Sequence, residues 1–334
     1  MKVLITGGAG YIGSTVASAC LDRSVVPVIL DDLSTGRREF VEGRLFYAGD
    51  IADAPLLDRI FAEHPDIEAT IHCAARIVVP ESVRDPIGYY RANVVKTVDL
   101  VEHLLRNGCR RVIFSSSASM YAPTGQGWVD ESSPLAPSSP YARTKAILEM
   151  ALEDFTRAYD LRVLSLRYFN PIGADPLLRT GLQNPNPTHV LGKLIEAHAT
   201  GTPFRLTGVR WDTRDGSAIR DYIHVWDLAE AHVAGLLAFD RVLPADRPER
   251  YEVVNVGTGR GTTVRELVAA FQEVVGRELT VVEAEPRPGD VLGCYTGSQK
   301  AATVLGWRAR FPIVDAIRHS LEWDAVRDKV LPPR

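Results

Sequence analysis

Tyr141 and Lys145 stand four residues apart. On a helix that spacing puts one side chain above the other on the same face. A phenol is a poor base near neutral pH, because its unperturbed pKa is about 10. A lysine ammonium one turn away favours the phenolate and lowers that value. The pair can therefore take a proton from an alcohol and return it. Spacing alone is a weak signal, since Tyr and Lys also meet by chance on solvated helix surfaces. Ser117, which closes the run Ser115-Ser116-Ser117, adds a hydroxyl that can bond a substrate hydroxyl or the phenol. A serine-rich strand end is also an ordinary turn. What these groups can do depends on what the chain places beside them.

The elements that must position them begin at the N-terminus. Residues 3–6 read as a strand that runs into Gly7, Gly10 and Gly13, and 14–21 read as a helix. Strand, glycine turn and helix is the context of a dinucleotide-binding loop. The glycines allow a tight turn and close approach of backbone to pyrophosphate, and the helix N-terminus offers free N–H groups to the anion. A second strand, 25–30, ends at Asp31, 18 residues after Gly13. That is near the ~20 expected of the acid that binds the adenosine ribose. A carboxylate there repels a 2′-phosphate and favours NAD, although Arg37 and Arg38 follow and could bind one. Asp31 could also be a plain turn residue.

The alternation continues with a strand at 45–48, then Gly49-Asp50-Ile51, a helix at 52–64 and a strand at 70–75. Ala74 lies where small residues let a cofactor rest on the backbone. A long helix is expected over 89–107, with an apolar stripe of Val94, Val98, Val101, Leu104 and Leu105. A strand at 111–114 leads to Ser117. A loop at 132–140 precedes the helix of Tyr141, expected over 141–159, and a sixth strand spans 161–166. In such sheets ligands sit beyond the carboxyl ends of the strands.

After this the alternation stops. We expect an α/β protein: a Rossmann-type doubly wound parallel sheet over 1–168, and a smaller mixed α/β substrate domain over 169–334. Part of the latter, 220–256, is expected to return to the first sheet. The second region reads as helices at 189–200, 228–239 and 263–275, a strand at 204–207, and loops at 180–187, 212–217 and 285–290. Arg205, Arg220 and Arg287 are expected in loops or turns. Guanidinium forks bind phosphates bidentately, so two of them facing the cleft would suit a pyrophosphate.

Composition narrows the classes. The chain has 334 residues, 46% hydrophobic and 24% charged, as ordinary globular proteins do. Its net charge of -4 offers no basic field for nucleic acid. Cys20, Cys73, Cys109 and Cys294 are scattered, which suits reduced thiols in a cytoplasmic protein. No apolar run is long enough for a membrane span. The eight histidines show no metal-ligand spacing, so no metal is expected.

Taken together, these residues resemble the extended short-chain dehydrogenase/reductase family, and within it the UDP-glucose 4-epimerases. The resemblance runs nearly end to end and rests on residues 6–13, Glu81-Ser82-Val83, Phe114 to Ser117, Ser139-Pro140-Tyr141, Arg167 to Pro171 and Arg220 to Val225. It implies that Ser117, Tyr141 and Lys145 form a catalytic trio. It implies that Gly7, Gly10, Tyr11, Ile12, Asp31, Asp50, Ile51 and Asn93 hold NAD, with Tyr168 near the nicotinamide. Asn170, His189, Arg220, Arg287 and Asp290 would hold UDP, with Leu206 near the uracil. The implied reaction inverts C4 of a UDP-hexose through a transient 4-keto sugar, interconverting UDP-glucose and UDP-galactose. In relatives the helices over 89–107 and 141–159 pair with their copies, which implies a homodimer.

Related dehydratases place an Asp-Glu pair after the strand-end hydroxyl, and related decarboxylases a glutamate. Here Ala118 and Ser119 stand there, and neither can titrate. His189 replaces an asparagine, and a lysine expected near Ile77 is missing, with Arg76 one position out of register. Cys294 stands where some relatives carry a tyrosine that crowds the sugar, so UDP-N-acetylglucosamine is a further candidate. UDP-glucuronate, a dehydrogenase that releases NADH, and a non-catalytic NAD sensor stay open as alternatives.

Overall fold

The computed structural model describes residues 1–125, 127–184, 187–286 and 291–332. Arg287 and Asp290 lie outside the described residues. Seven parallel strands form the central sheet: β1 (Lys2–Thr6), β2 (Val26–Asp31), β3 (Leu45–Ala48), β4 (Ile67–His72), β5 (Arg111–Ser115), β6 (Arg162–Tyr168) and β7 (Tyr251–Val256). Their order is β7-β6-β5-β4-β1-β2-β3. The order reverses between β1 and β4, so a crevice opens there at the strands' carboxyl ends. β7 pairs with β6 through Tyr251–Val163 to Val256–Tyr168, whereas the strands at Ile219–Arg220 and Tyr222–His224 lie in separate two-stranded sheets.

Side chains alternate across each strand. Val3, Ile5 and Ile29 fall in one apolar layer, and Leu4, Val28 and Leu30 in the other. Helices α1 (Tyr11–Asp22) and α6 (Val225–Leu237) cover the first layer. Helices α2 (Ala54–Glu63), α3 (Lys96–Arg106) and α4 (Pro140–Ala158) cover the second. A sheet buried on both faces explains why its strands read as near-continuous apolar runs.

The remaining core joins α5 (Val190–Thr200), α7 (Val264–Val275) and α8 (Ile313–Val330) with Phe204, Leu206 and Tyr222. Small parallel pairs tie this region together: Phe204–Thr207 with Val281–Ala284, and Asn170–Ile172 with Tyr222–His224.

Two expected helices differ from the structure. α1 starts at Tyr11, so Gly13 lies inside its first turn. The 89–107 helix is three pieces: a turn at Pro86–Tyr89, a wide π turn at Tyr90–Val95, and α3. Asn93 lies in this wide turn, its side chain buried and bonded across to Arg76 and Thr144. Arg205, expected in a loop or turn, is on the exposed face of the Phe204–Thr207 strand.

Candidate active site

Ser139 caps α4, its Oγ accepting from the N–H of Ala142 at 3.1 Å, and Pro140 follows at the first helical position. Both are standard ways to start a helix, and together they set the phase of Tyr141 and Lys145. The two side chains are buried, 6% and 2% exposed. Ser117 stands just past β5, at the start of a short turn, Ala118–Met120. Its Oγ donates to Ser119 Oγ at 2.9 Å.

Burial pushes the Tyr141 phenol above its ordinary value, and the Ser117 hydroxyl pulls it back. Lys145, expected to lower it directly, is not among the groups that act on it. Lys145 Nζ donates to the Ser115 carbonyl at 2.7 Å and lies 4.7 Å from the centre of the Phe114 ring. Burial lowers its own pKa to about 8, against the opposing fields of Cys73 and Glu149. The phenol is therefore protonated at neutral pH until a further positive charge enters the site. Tyr168 is buried beside this group, and burial together with Tyr141 pushes its phenol up.

At the crevice between β1 and β4 the backbones close in. Gly7 has φ +71°, and a Cβ there would lie 2.6 Å from the Ala74 nitrogen. A Cβ on Gly13 would lie 2.2 Å from the Gly7 carbonyl oxygen. Gly10 opens α1 with no side-chain cap, which leaves the helix N–H groups facing outward for an anion. Asp31 is buried and accepts from the N–H groups of Ala9 at 2.9 Å and Leu33 at 2.8 Å, so it braces the glycine loop. Arg37 is held by Glu39 and the Pro332 carbonyl, and Arg38 lies over the Phe46 ring. Those engagements work against a 2′-phosphate. Asp50 is paired with Lys96, and Ile51 is buried. Tyr11 donates to the Gly173 carbonyl at 2.6 Å, beside partly buried Ile12. The crevice thus presents a close-fitting backbone cradle beside a fixed carboxylate.

The second region faces this cradle. His189 caps α5, its Nδ1 accepting from the N–H of Gly192 at 3.2 Å. Burial lowers its pKa to about 4, which leaves it neutral with its proton on Nε2. A donor remains for an anion. Asn170 is exposed at the start of its strand. Arg220 donates to the carbonyls of Ile219, Leu292 and Val291 at 2.7, 2.7 and 3.0 Å. A guanidinium has five N–H groups, so Nε–H and one Nη2–H remain unassigned among the described contacts. Leu206 is packed in the core with Phe204 and Leu194, so its side chain offers little surface to a base. Cys294 packs on Ala118, Tyr121 and Phe169, which brings this region against the serine turn. Its Sγ lies 3.9 Å from the Ala118 carbonyl. A cavity of ≈ 200 Å³ next to Tyr11 and His189 runs toward Trp323 and Arg327, away from the trio.

Several polar residues went unassigned in the sequence reading. The hydroxyl of Tyr222, two residues beyond Arg220, is buried with no hydrogen-bond partner among the described residues. Asp221 is buried and accepts from Thr258, Gly259 and Thr296, fastening the loop after β7. Glu149 pairs with Arg167 at 2.6 Å behind Lys145, both almost fully buried. Arg76 is held by Glu81 and Asp85 and lies over the Tyr89 ring, so it does not stand free as a substitute for the missing lysine.

Residues 3–257 match the model of the NAD dependent epimerase/dehydratase family. The chain is 41% identical to a UDP-glucose 4-epimerase of Azospirillum brasilense, over 97% of this chain and 92% of that protein. Its structure superposes with TM-score 0.92, at 32% identity, on a UDP-glucose-4-epimerase of Stenotrophomonas maltophila bound to NAD and formylated UDP-arabinopyranose. That match covers 98% and 99% of the two chains. It is also similar, with TM-score 0.81 and 33% identity over 97% and 99% of the chains, to the UDP-Glc/GlcNAc 4-epimerase of Campylobacter jejuni.

Proposed function

The chain belongs to the NAD dependent epimerase/dehydratase family, and from that premise we infer that it interconverts UDP-glucose and UDP-galactose, with NAD resident. The observation that carries this is the buried group of Ser117, Tyr141 and Lys145 beside a dinucleotide cradle, with no titratable side chain at Ala118 or Ser119. A dehydratase or decarboxylase needs an acid there. None of the relatives named above is described as acting on UDP-glucuronate or as releasing NADH.

We assign NAD to Gly7, Gly10, Tyr11, Ile12, Gly13 and Asp31, with Asp50, Ile51, Ala74, Asn93 and Tyr168 along its length. When bound, NAD supplies a hydride acceptor for C4 and a ring charge that favours the phenolate. Tyr141 takes the proton of the sugar 4-hydroxyl, with Ser117 bridging, and gives it back once the 4-keto sugar has turned over. Lys145 keeps positive charge beside the phenol. Asn170, His189 and Arg220 hold the UDP, joined by Arg287 and Asp290. Leu206 is a weaker candidate for the uracil, given its burial. Residues 1–168 with the returning β7 would serve the cofactor, and the rest of 169–334 the nucleotide sugar.

Incubation with UDP-galactose and no added NAD should yield UDP-glucose with no net NADH in solution. Net NADH, or no conversion at all, would overturn the assignment.

Cys294 leaves room at the sugar, which favours a second substrate, UDP-N-acetylglucosamine. Cys294→Tyr should lower kcat/KM for that sugar by about 10–200-fold, the range set by pocket size. UDP-glucose turnover should stay within a factor of about three. Equal turnover of the larger sugar by both forms would remove the steric role.

A homodimer is also proposed. Val95, Val98 and Met150 are large apolar side chains left exposed on the segments expected to pair, Met150 at 59%. Met150→Asp on a free surface would cost within about 0.5 kcal/mol, whereas at an interface it buries an unpaired charge. Sedimentation should show a dimer for the parent and a monomer for the variant. A monomeric parent would refute this. The four free thiols support a cytoplasmic enzyme, and no helix among the described residues is long and apolar enough to cross a membrane.

A further inference from the structure

We propose that Glu149 is a positioning residue for the catalytic pair: it locks α4 to the ends of β5 and β6 and keeps the positive charge on Lys145. This rests on the assignment of Tyr141 and Lys145 as the proton-handling groups.

Glu149 follows Lys145 by one helical turn and is buried. Its Oε1 accepts from Ser116 Oγ, from Ser165 Oγ at 3.0 Å and from Arg167 Nε at 3.1 Å. Its Oε2 accepts from Arg167 Nη2 at 2.6 Å. Ser116 immediately precedes Ser117, and Arg167 immediately precedes Tyr168. One carboxylate therefore ties the helix of Tyr141 and Lys145 to the strand end of Ser117 and to the strand of Tyr168. Arg167 extends the tie, donating to Tyr121 Oη at 3.0 Å, which donates to Asn255 Oδ1 at 2.7 Å.

Charge follows the same contacts. Lys145 faces Glu149 on its own helix, and Cys73 and His72 from β4 and the residue after it. Glu149 faces Ser116 just past β5, Ser165 and Arg167 from β6, and Tyr251 from β7, with Glu153 further along α4. Of these, Glu149 is the carboxylate that acts on Lys145. Without it, burial would act on Lys145 with no carboxylate to oppose it, and a lysine can shed its proton.

The test is the pH dependence of epimerisation by Glu149→Gln, purified with its NAD. The alkaline limb of kcat should move to lower pH by about one unit, so that kcat falls about twofold near pH 7 and about sixfold near pH 8, with KM changed by less than about twofold. A limb that stays in place while thermal stability or NAD content drops would mean a purely structural residue and would overturn the proposal. Should that variant fail to fold, Glu149→Met/Arg167→Met replaces the buried pair by apolar side chains, which is often neutral for stability. It should fold, turn over more slowly than the parent and keep the displaced limb. Full activity with the parent profile would overturn the proposal. An inactive parent chain would instead sink the assigned function, and an inactive Tyr141→Phe beside an unmoved Glu149→Gln would sink this proposal alone.

Discussion

Tyr141→Phe is expected to lose about 10²–10⁴-fold in kcat while still copurifying with NAD, the range typical of removing a general acid–base group. The ring fills the same buried space, so packing is preserved. Only the oxygen is lost, and Ser117 is the group that acts on it. Thermal unfolding should be nearly unchanged. The sign of the parent's pH dependence follows from the same burial. The phenol must lose a proton to act as a base, so activity rises with pH. Lys145 must keep its proton, and its pKa is lowered to about 8, so activity falls again above that value. Turnover by the phenylalanine variant within threefold of the parent would remove Tyr141 from the mechanism.

Gly7→Ala should lose NAD and stability together. The left-handed backbone at this position, φ +71°, costs an alanine about 1–2 kcal/mol. Its Cβ would meet the Ala74 nitrogen at 2.6 Å and the Ala74 Cα at 2.7 Å. Both are backbone atoms at the end of β4, and they cannot turn aside as a side chain would. Overpacking of this kind adds about 1–3 kcal/mol. The strand ends would part where a cofactor must lie against them. Urea unfolding should shift to lower denaturant, and NAD content per chain should fall well below one. A variant that unfolds with the parent midpoint and holds a full complement of NAD would show that the crevice has slack.

Much of this site is legible in the sequence because its parts are local. Gly7, Gly10 and Gly13 announce themselves by spacing, and Asp31 by its distance from them. Ser117 and the Tyr141–Lys145 pair each sit within one short motif. The late strand was also readable, since Val253 to Val256 is too apolar for a surface loop. Less was legible where a residue's role depends on partners distant in the chain. Glu149 repeats the helical spacing from Lys145, a signal that could have been followed. Its meaning, however, requires Ser116 and Arg167, which stand at the ends of two other strands. The wide turn at Tyr90–Val95 holds Asn93, whose partners Arg76 and Thr144 come from elsewhere in the chain. Lys145 looked like a partner of Tyr141 because helix geometry is easily inferred, whereas the Ser115 carbonyl that it bonds is set by the packing of α4 on β5.

The place of β7 at the open side of β6 has a consequence for how the protein is made. Ribosomes deliver the chain from its N-terminus, so β6 emerges long before the strand that covers it. Until residue 256 has been synthesised, β6 presents an unpaired row of N–H and C=O groups, an invitation to pairing with other chains. Expressing residues 1–168 alone would make that interval permanent. The first sheet therefore cannot close before part of the second region has been made. The nascent chain has to make the residues between Tyr168 and Tyr251 before its first sheet is complete.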